Sequence, residues 1–180
     1  MGVKTEATVD DLARVTGKAE LVDGRLVRMS LSDGYHSVAA GEIFASLREY
    51  ARKTRRGHAI PDNAGFVVEL PHRKSFSPDA AYHLGEPTRS FFRGAPVFAV
   101  EVRSDSDYGR AGEKRMNAKR ADYFAAGTLV VWDVDLHGED VIRSFRTDAP
   151  ESPTVSRRGE IASAEPAVPG WTMEVDELWP

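Results

Sequence analysis

Glu101 is the residue whose surroundings first suggest chemistry, because it lies within the apolar run Pro96-Val-Phe-Ala-Val-Glu-Val102. Burying a carboxylate there is costly unless it is paired, protonated or bound to a cation; otherwise the strand ends at that point and Glu101 reaches water. Asp79 follows Ser77-Pro78 inside a second strand-like stretch, and Pro78 marks a sheet edge or a strand start. Alone, Ser-Pro-Asp is a turn or cap pattern. Together, two carboxylates on neighbouring strands form a hard-oxygen site suited to Mg²⁺ or Mn²⁺. Such an ion polarises a phosphate oxygen and acidifies a bound water.

That chemistry calls for a further group to orient the water or offset developing charge. Arg103 shares a strand face with Glu101, but a guanidinium stays protonated and is no base. The following helix offers Lys114 and Lys119. Measured from Met116 at about 100° per residue, Tyr123 lies near about −20° and Lys119 near about −60°, while Lys114 lies near about 160°. Lys119 therefore points toward the sheet, and Lys114 points to solvent.

Several elements must hold these groups. Residues 8–17 read as a short helix that opens on acidic residues and closes at Gly17. Residues 20–29 read as a hairpin around Asp23-Gly24. Apolar spacing predicts a helix over 36–54, with Gly57 as its stop signal. Strands are expected at 66–70 and 76–83, then an inner strand at 96–102 that is apolar on both faces. A helix over 111–126, strands at 129–135 and 141–146, and short strands at 153–157 and 171–175 complete the order. The pattern is that of an α/β sheet with helices packed on it.

The chain has 180 residues, enough for one substantial core, so residues 1–180 are read as a single domain with 1–18 as a short helical extension. With 41% hydrophobic and 29% charged residues, neither a disordered nor a fibrous protein is expected. No run approaches the roughly 18 apolar residues of a membrane span, and the N-terminus does not resemble a signal peptide. Zero cysteines exclude a disulfide framework, a thiol nucleophile and a thiolate metal site, and fit a reducing, cytoplasmic setting. A net charge of −4 argues against nucleic-acid binding by the whole surface. Basic residues nevertheless cluster at Arg48, Arg52, Lys53, Arg55 and Arg56, and at Arg110, Lys114, Arg115, Lys119 and Arg120. Charge alone reads each cluster as a solvated helix face.

In order along the chain, Ser77-Pro-Asp79, Phe98-Ala-Val-Glu101-Val-Arg-Ser104, Lys119-Arg-Ala-Asp-Tyr-Phe-Ala-Ala-Gly127 and Val130-Val-Trp-Asp-Val-Asp135 resemble the Uma2 family. That family belongs to the PD-(D/E)XK restriction-endonuclease-like superfamily. Glu20-Leu-Val-Asp-Gly-Arg-Leu, His36 and Pro169-Gly-Trp-Thr-Met-Glu-Val-Asp extend the likeness over nearly the whole chain from about residue 20. The resemblance implies a restriction-endonuclease-like core, a mixed central β-sheet flanked by α-helices. It implies Asp79 and Glu101 as metal ligands, with the Val102 carbonyl contributing, and Mg²⁺ or Mn²⁺ as the cofactor. The superfamily's strand lysine is replaced here by Arg103, whereas Lys119 with Tyr123 four residues later matches the helix pattern of Uma2-like sequences. Glu20 becomes a further ligand or supporting residue, and His36 a phosphate or substrate contact. Glu42 reads as solvated, and His58, His72, His83 and His137 as structural.

The expected activity is Mg²⁺-dependent hydrolysis of phosphodiester bonds in DNA, with RNA left open as a substrate and a homodimer plausible for cutting two strands. The rival is a catalytically inactive nuclease-fold module that binds nucleic acid or a protein partner.

Overall fold

The computed structural model describes residues 6–180; residues 1–5, which open the expected N-terminal extension, lie outside the described residues. Helix α1 (Val9–Ala13) starts at a capping box in which the Asp11 N–H donates to Thr8 Oγ1 and the Thr8 N–H donates to Asp11 Oδ2. Strands β1 (Ala19–Val22) and β2 (Arg25–Arg28) form the expected hairpin. Its two turn residues, Asp23 and Gly24, have φ of 49° and 64°, the doubly positive turn that suits the twist of paired strands. Helix α2 (Gly34–Thr54) begins where Asp33 accepts the His36 N–H at 2.9 Å and ends at Arg55 in the left-handed region.

The chain continues through β3 (His58–Pro61), β4 (Phe66–Val67), β5 (Ser75–Phe76), β6 (Ala80–His83), β7 (Phe92–Arg93) and β8 (Phe98–Val102). After a 3-10 turn at Asp105–Asp107 come α3 (Gly109–Ala125), β9 (Val130–Val134), β10 (Ile142–Arg146), β11 (Ala149–Ser156), β12 (Ile161–Ser163) and β13 (Thr172–Glu174). A six-stranded mixed sheet runs in the order β11-β10-β9-β8-β6-β3. Only β8 and β9 pair in parallel within it, and α3 makes the crossover between them.

Strand alternation divides the core. Phe98, Val100 and Val102 of β8, with Trp132 and Val134 of β9, pack against Ala39, Ile43 and Leu47 of α2 and against Trp171 and Leu178 near the C-terminus. Ala81, Ala99 and Val131 face the other way, toward Tyr123 of α3 and Phe66 and Phe76 of the small sheet β5-β4-β7. Glu101 and Asp133 are register partners in β8 and β9, so alternation puts them on this second face.

The structure corrects the expected strand at 76–83, which breaks into β5 and β6 around Ser77-Pro78-Asp79. Pro78 has no N–H, and the Ser77 N–H donates to Glu20 Oε1 at 2.8 Å, so the ladder cannot run through. Strand β3 has no counterpart in the sequence reading because it is a short edge strand ending in proline. β7 has only two residues, too few for an alternation pattern.

Candidate functional site

Asp79 stands at the entry to β6, where its N–H donates to the Val100 carbonyl of β8 at 3.0 Å. Its carboxylate is buried and held from three directions. Lys18 Nζ lies 2.5 Å from Oδ1, the Val102 N–H donates to Oδ2 at 2.8 Å, and His36 Nε2 lies 3.3 Å from Oδ2. Burial works against ionisation of Asp79, but the His36 hydrogen bond and the Lys18 charge outweigh it and hold the carboxyl well below the usual aspartate range. His36 is itself buried; the cost of burial opposes its charge, yet the bond to Asp79 raises its pKa.

Glu101, one strand over, accepts from Lys119 Nζ at 2.7 Å on Oε2 and from the Tyr123 hydroxyl at 2.6 Å on Oε1. Burial first, and then the neighbouring Asp79 and Glu20 charges, push its carboxyl up to about 7 against the pull of Lys119. Lys119 also lies 2.9 Å from Glu20 Oε1. Burial disfavours the Lys119 charge, but Glu101 and Glu20 together raise its pKa above the ordinary lysine value. Glu20 in turn accepts from Arg73 Nη1 at 2.6 Å, and Arg73 Nε donates to Asp122 of α3 at 2.7 Å. A charged network thus ties β1, β8 and α3 together behind Lys119.

The structure forms two neighbouring groups, Asp79 with His36 and Lys18, and Glu101 with Lys119, Tyr123 and Glu20, close enough that the Asp79 charge is felt at Glu101. Arg103 joins neither. Its guanidinium forms a bidentate pair with Asp133, at 2.6 and 2.7 Å, and also pairs with half-exposed Glu113. The Val102 N–H is committed to Asp79, and its carbonyl shares that side of the strand. Ser104 donates from both N–H and Oγ to Asp107, which closes the turn after β8. Lys114 is exposed, as the helical spacing predicts, and Glu42 is exposed on α2.

The Uma2 family model, described as "Putative restriction endonuclease", matches residues 9–176. The chain belongs to the Uma2 family. A solved structure of "a putative nuclease belonging to DUF820 from Anabaena variabilis ATCC 29413" is similar to it, with a TM-score of 0.73 and 15% identity over 95% of this chain and 96% of that one. At that identity the likeness is one of fold, and it agrees with the restriction-endonuclease-like architecture read from the sequence. No curated protein matches this Uma2 chain.

Restriction-endonuclease-like proteins generally use divalent metal ions, which hard oxygen ligands hold. Among the described residues no three His, Cys, Asp or Glu side chains are gathered as a ready-made cage. Mg²⁺, however, is held through one or two carboxylates and keeps several waters, which an all-oxygen pair such as Asp79 and Glu101 can satisfy. The donor set of this Uma2 protein therefore fits, since Asp79 Oδ1 and both Glu101 oxygens each keep a lone pair beyond their one present contact.

Lys18, Asp62, Arg73, Asp122, Asp133 and Glu113 have no role in the sequence reading. Asp133 carried a local signal of the kind that singled out Glu101, a carboxylate within the apolar run Val130-Val-Trp-Asp-Val134. No helix among the described residues is long and apolar enough to cross a membrane.

Proposed function

We propose that this protein is a metal-dependent endonuclease that hydrolyses phosphodiester bonds in DNA, acting as one Uma2-like domain over residues 1–180. The observation that carries the proposal is the convergence of Asp79 and Glu101 from adjacent strands, with Lys119 already bonded to Glu101. Family membership and the nuclease-like fold support it.

Asp79, Glu101 and the Val102 carbonyl are the assigned ligands of Mg²⁺ or Mn²⁺. Such an ion, when bound, polarises the phosphate and acidifies a water. The chain's own residues supply the rest. Tyr123 and Lys119 each bond one Glu101 oxygen and so orient its carboxylate. Glu20 holds Lys119 in place, leaving the ammonium available to offset charge on the phosphate in the transition state. His36 and the Val102 N–H fix the rotation of Asp79. The setting is proposed as cytoplasmic, with RNA as a second substrate class and a homodimer as the form that cuts both strands.

The test compares cleavage of single-stranded, double-stranded and supercoiled DNA with Mg²⁺ and Mn²⁺ by wild type, Asp79→Ala and Glu101→Ala. Each substitution is expected to lower the rate by about 10²-fold or more. Cleavage that persists equally in both variants would sink the site assignment.

One observation favours a second reading. Glu20, Asp79 and Glu101 each carry a cationic partner from the same chain, and Arg103 in the strand-lysine position is committed to Asp133. A catalytically inactive module that binds nucleic acid or a protein partner has that arrangement. Calorimetric titration with Mn²⁺ separates the readings, because the inactive module gives no Asp79-dependent binding.

A further inference from the structure

The site holds a cation of its own. Lys18 Nζ lies 2.5 Å from Asp79 Oδ1 and 2.7 Å from Asp62 Oδ1, with its side chain 15% exposed and that of Asp79 7% exposed. That ammonium takes Oδ1 of Asp79, while the Val102 N–H and His36 lie on Oδ2. Lys18 thus holds the Asp79 oxygen that has no other partner, the one a divalent ion would take. Placing a second cation beside the first is repulsive in so dry a setting.

The surroundings of Lys18 allow it to leave. It lies in the bend before β1, outside the strand ladder. Asp62 is 43% exposed in its side chain, so it holds the ammonium at the rim rather than in the interior.

We propose that Lys18 is an exchangeable counter-ion: it neutralises Asp79 in the metal-free protein, yields that oxygen to a divalent ion, and stays tethered at Asp62 to contact a phosphodiester of the substrate. This rests on Asp79 being a metal ligand. The exchange makes Lys18 a positioning residue for the metal-free site and a substrate contact in the loaded one. It also accounts for the ionic pairing of Asp79 in so buried a position. Asp79 avoids the cost of an unpaired buried charge, and its ligand geometry is kept.

The experiment measures Mn²⁺ affinity by titration calorimetry on the full chain as wild type, Lys18→Met, Lys18→Arg and Asp79→Asn. Lys18→Met is expected to bind Mn²⁺ about tenfold more tightly than wild type, because a competing charge is removed. Lys18→Arg keeps the charge and is expected to bind no more tightly than wild type. Unchanged or weaker affinity in Lys18→Met overturns the exchange. Binding in wild type that is lost in Asp79→Asn leaves the metal-site reading standing whatever Lys18→Met does. Mn²⁺ binding in neither wild type nor Lys18→Met overturns both.

A second arm uses a short fluorescent DNA duplex with Ca²⁺ in place of Mg²⁺. Lys18→Met is expected to bind it about tenfold more weakly, with a log-log salt slope shallower by about 0.9, the loss of one phosphate contact. An unchanged slope overturns the phosphate contact. Should Lys18→Met fail to fold, amine acylation of wild type followed by mass spectrometry still decides. Saturating Mg²⁺ is expected to speed labelling of Lys18 several-fold while exposed Lys114 is unaffected, and an unchanged Lys18 rate overturns the exchange.

Discussion

Lys119 Nζ and Glu101 Oε2 lie 2.7 Å apart, joining the buried face of α3 to strand β8. The same ammonium reaches Glu20, so one side chain balances two carboxylates that are each largely buried. Removing it leaves buried Glu101 without a cationic partner, while Glu20 keeps Arg73 alone. Lys119→Met is expected to abolish DNA cleavage and to lower stability by about 3–5 kcal/mol. Urea unfolding followed by circular dichroism, alongside the cleavage assay, checks both. A variant as stable as wild type contradicts the charge balance described for this cluster.

Arg103 belongs to a different network. Its bidentate pair with Asp133 is nearly sealed, with side-chain exposures of 2% and 3%, while Glu113 at 47% is screened by water and adds little. Asp133 is the principal cause of the guanidinium's raised pKa, so Arg103 stays charged at all accessible pH. Arg103→Ala is expected to cost about 3–5 kcal/mol by stranding Asp133. Arg103→Lys restores the superfamily's strand residue yet loses the two-pronged geometry, so it is expected to be less stable than wild type. Chemical denaturation of both variants tests this, and an Arg103→Lys protein more stable than wild type would be the contrary result.

Gly112 sets how closely α3 approaches the turn after β8. A Cβ there would come within 2.8 Å of Asp107 Cα and nearer still to the Asp107 carbonyl carbon and oxygen. Main chain cannot swing aside as a long side chain does, so α3 must shift. Gly112→Ala is expected to cost about 1–3 kcal/mol despite the better helix propensity of alanine, and to reduce activity by displacing Lys119. Thermal unfolding and the cleavage rate are the measurements, and a stabilised Gly112→Ala protein refutes the close contact.

His83 supplies a pH dependence away from the carboxylate cluster. It is buried against Phe66 and Phe92, with ring centroids at 5.5 and 5.3 Å, and its Nδ1 has no hydrogen-bond partner among the described residues. Burial, with the nearby His58, lowers its pKa below the ordinary histidine value. The unfolded chain therefore binds a proton at higher pH than the folded one. The stability this histidine contributes is complete above about pH 6.5 and falls as the pH drops through the folded-state value, by at most about 1.4 kcal/mol per pH unit. His83→Phe is expected to show a shallower loss as the pH falls below about 6.5 in urea titrations. Identical slopes for the two proteins would rule this out.

What local physics decides was legible along the chain. The Asp23-Gly24 turn, the span of α2 and the inner position of β8 follow from backbone preference and apolar period, which act within a few residues. Glu101 announced itself because a carboxylate in such a strand needs a partner. Lys119 was separated from Lys114 by helical angle alone, and the structure places the first on Glu101 and the second in solvent. The remainder of the cluster depends on contacts between distant segments. Lys18 and Asp79 are 61 positions apart, Arg73 and Glu20 53, and Arg103 and Asp133 30. A turn-like Pro71-His72-Arg73-Lys74 gives no hint that Arg73 will be buried between Glu20 and Asp122. By itself the sequence determined the long helices and inner strands, the carboxylate pair and the lysine facing it, but not the short strands β3 and β7. Only the tertiary structure decided which charge neutralises which, because ion pairing is set by proximity in space after the sheet and helices have packed.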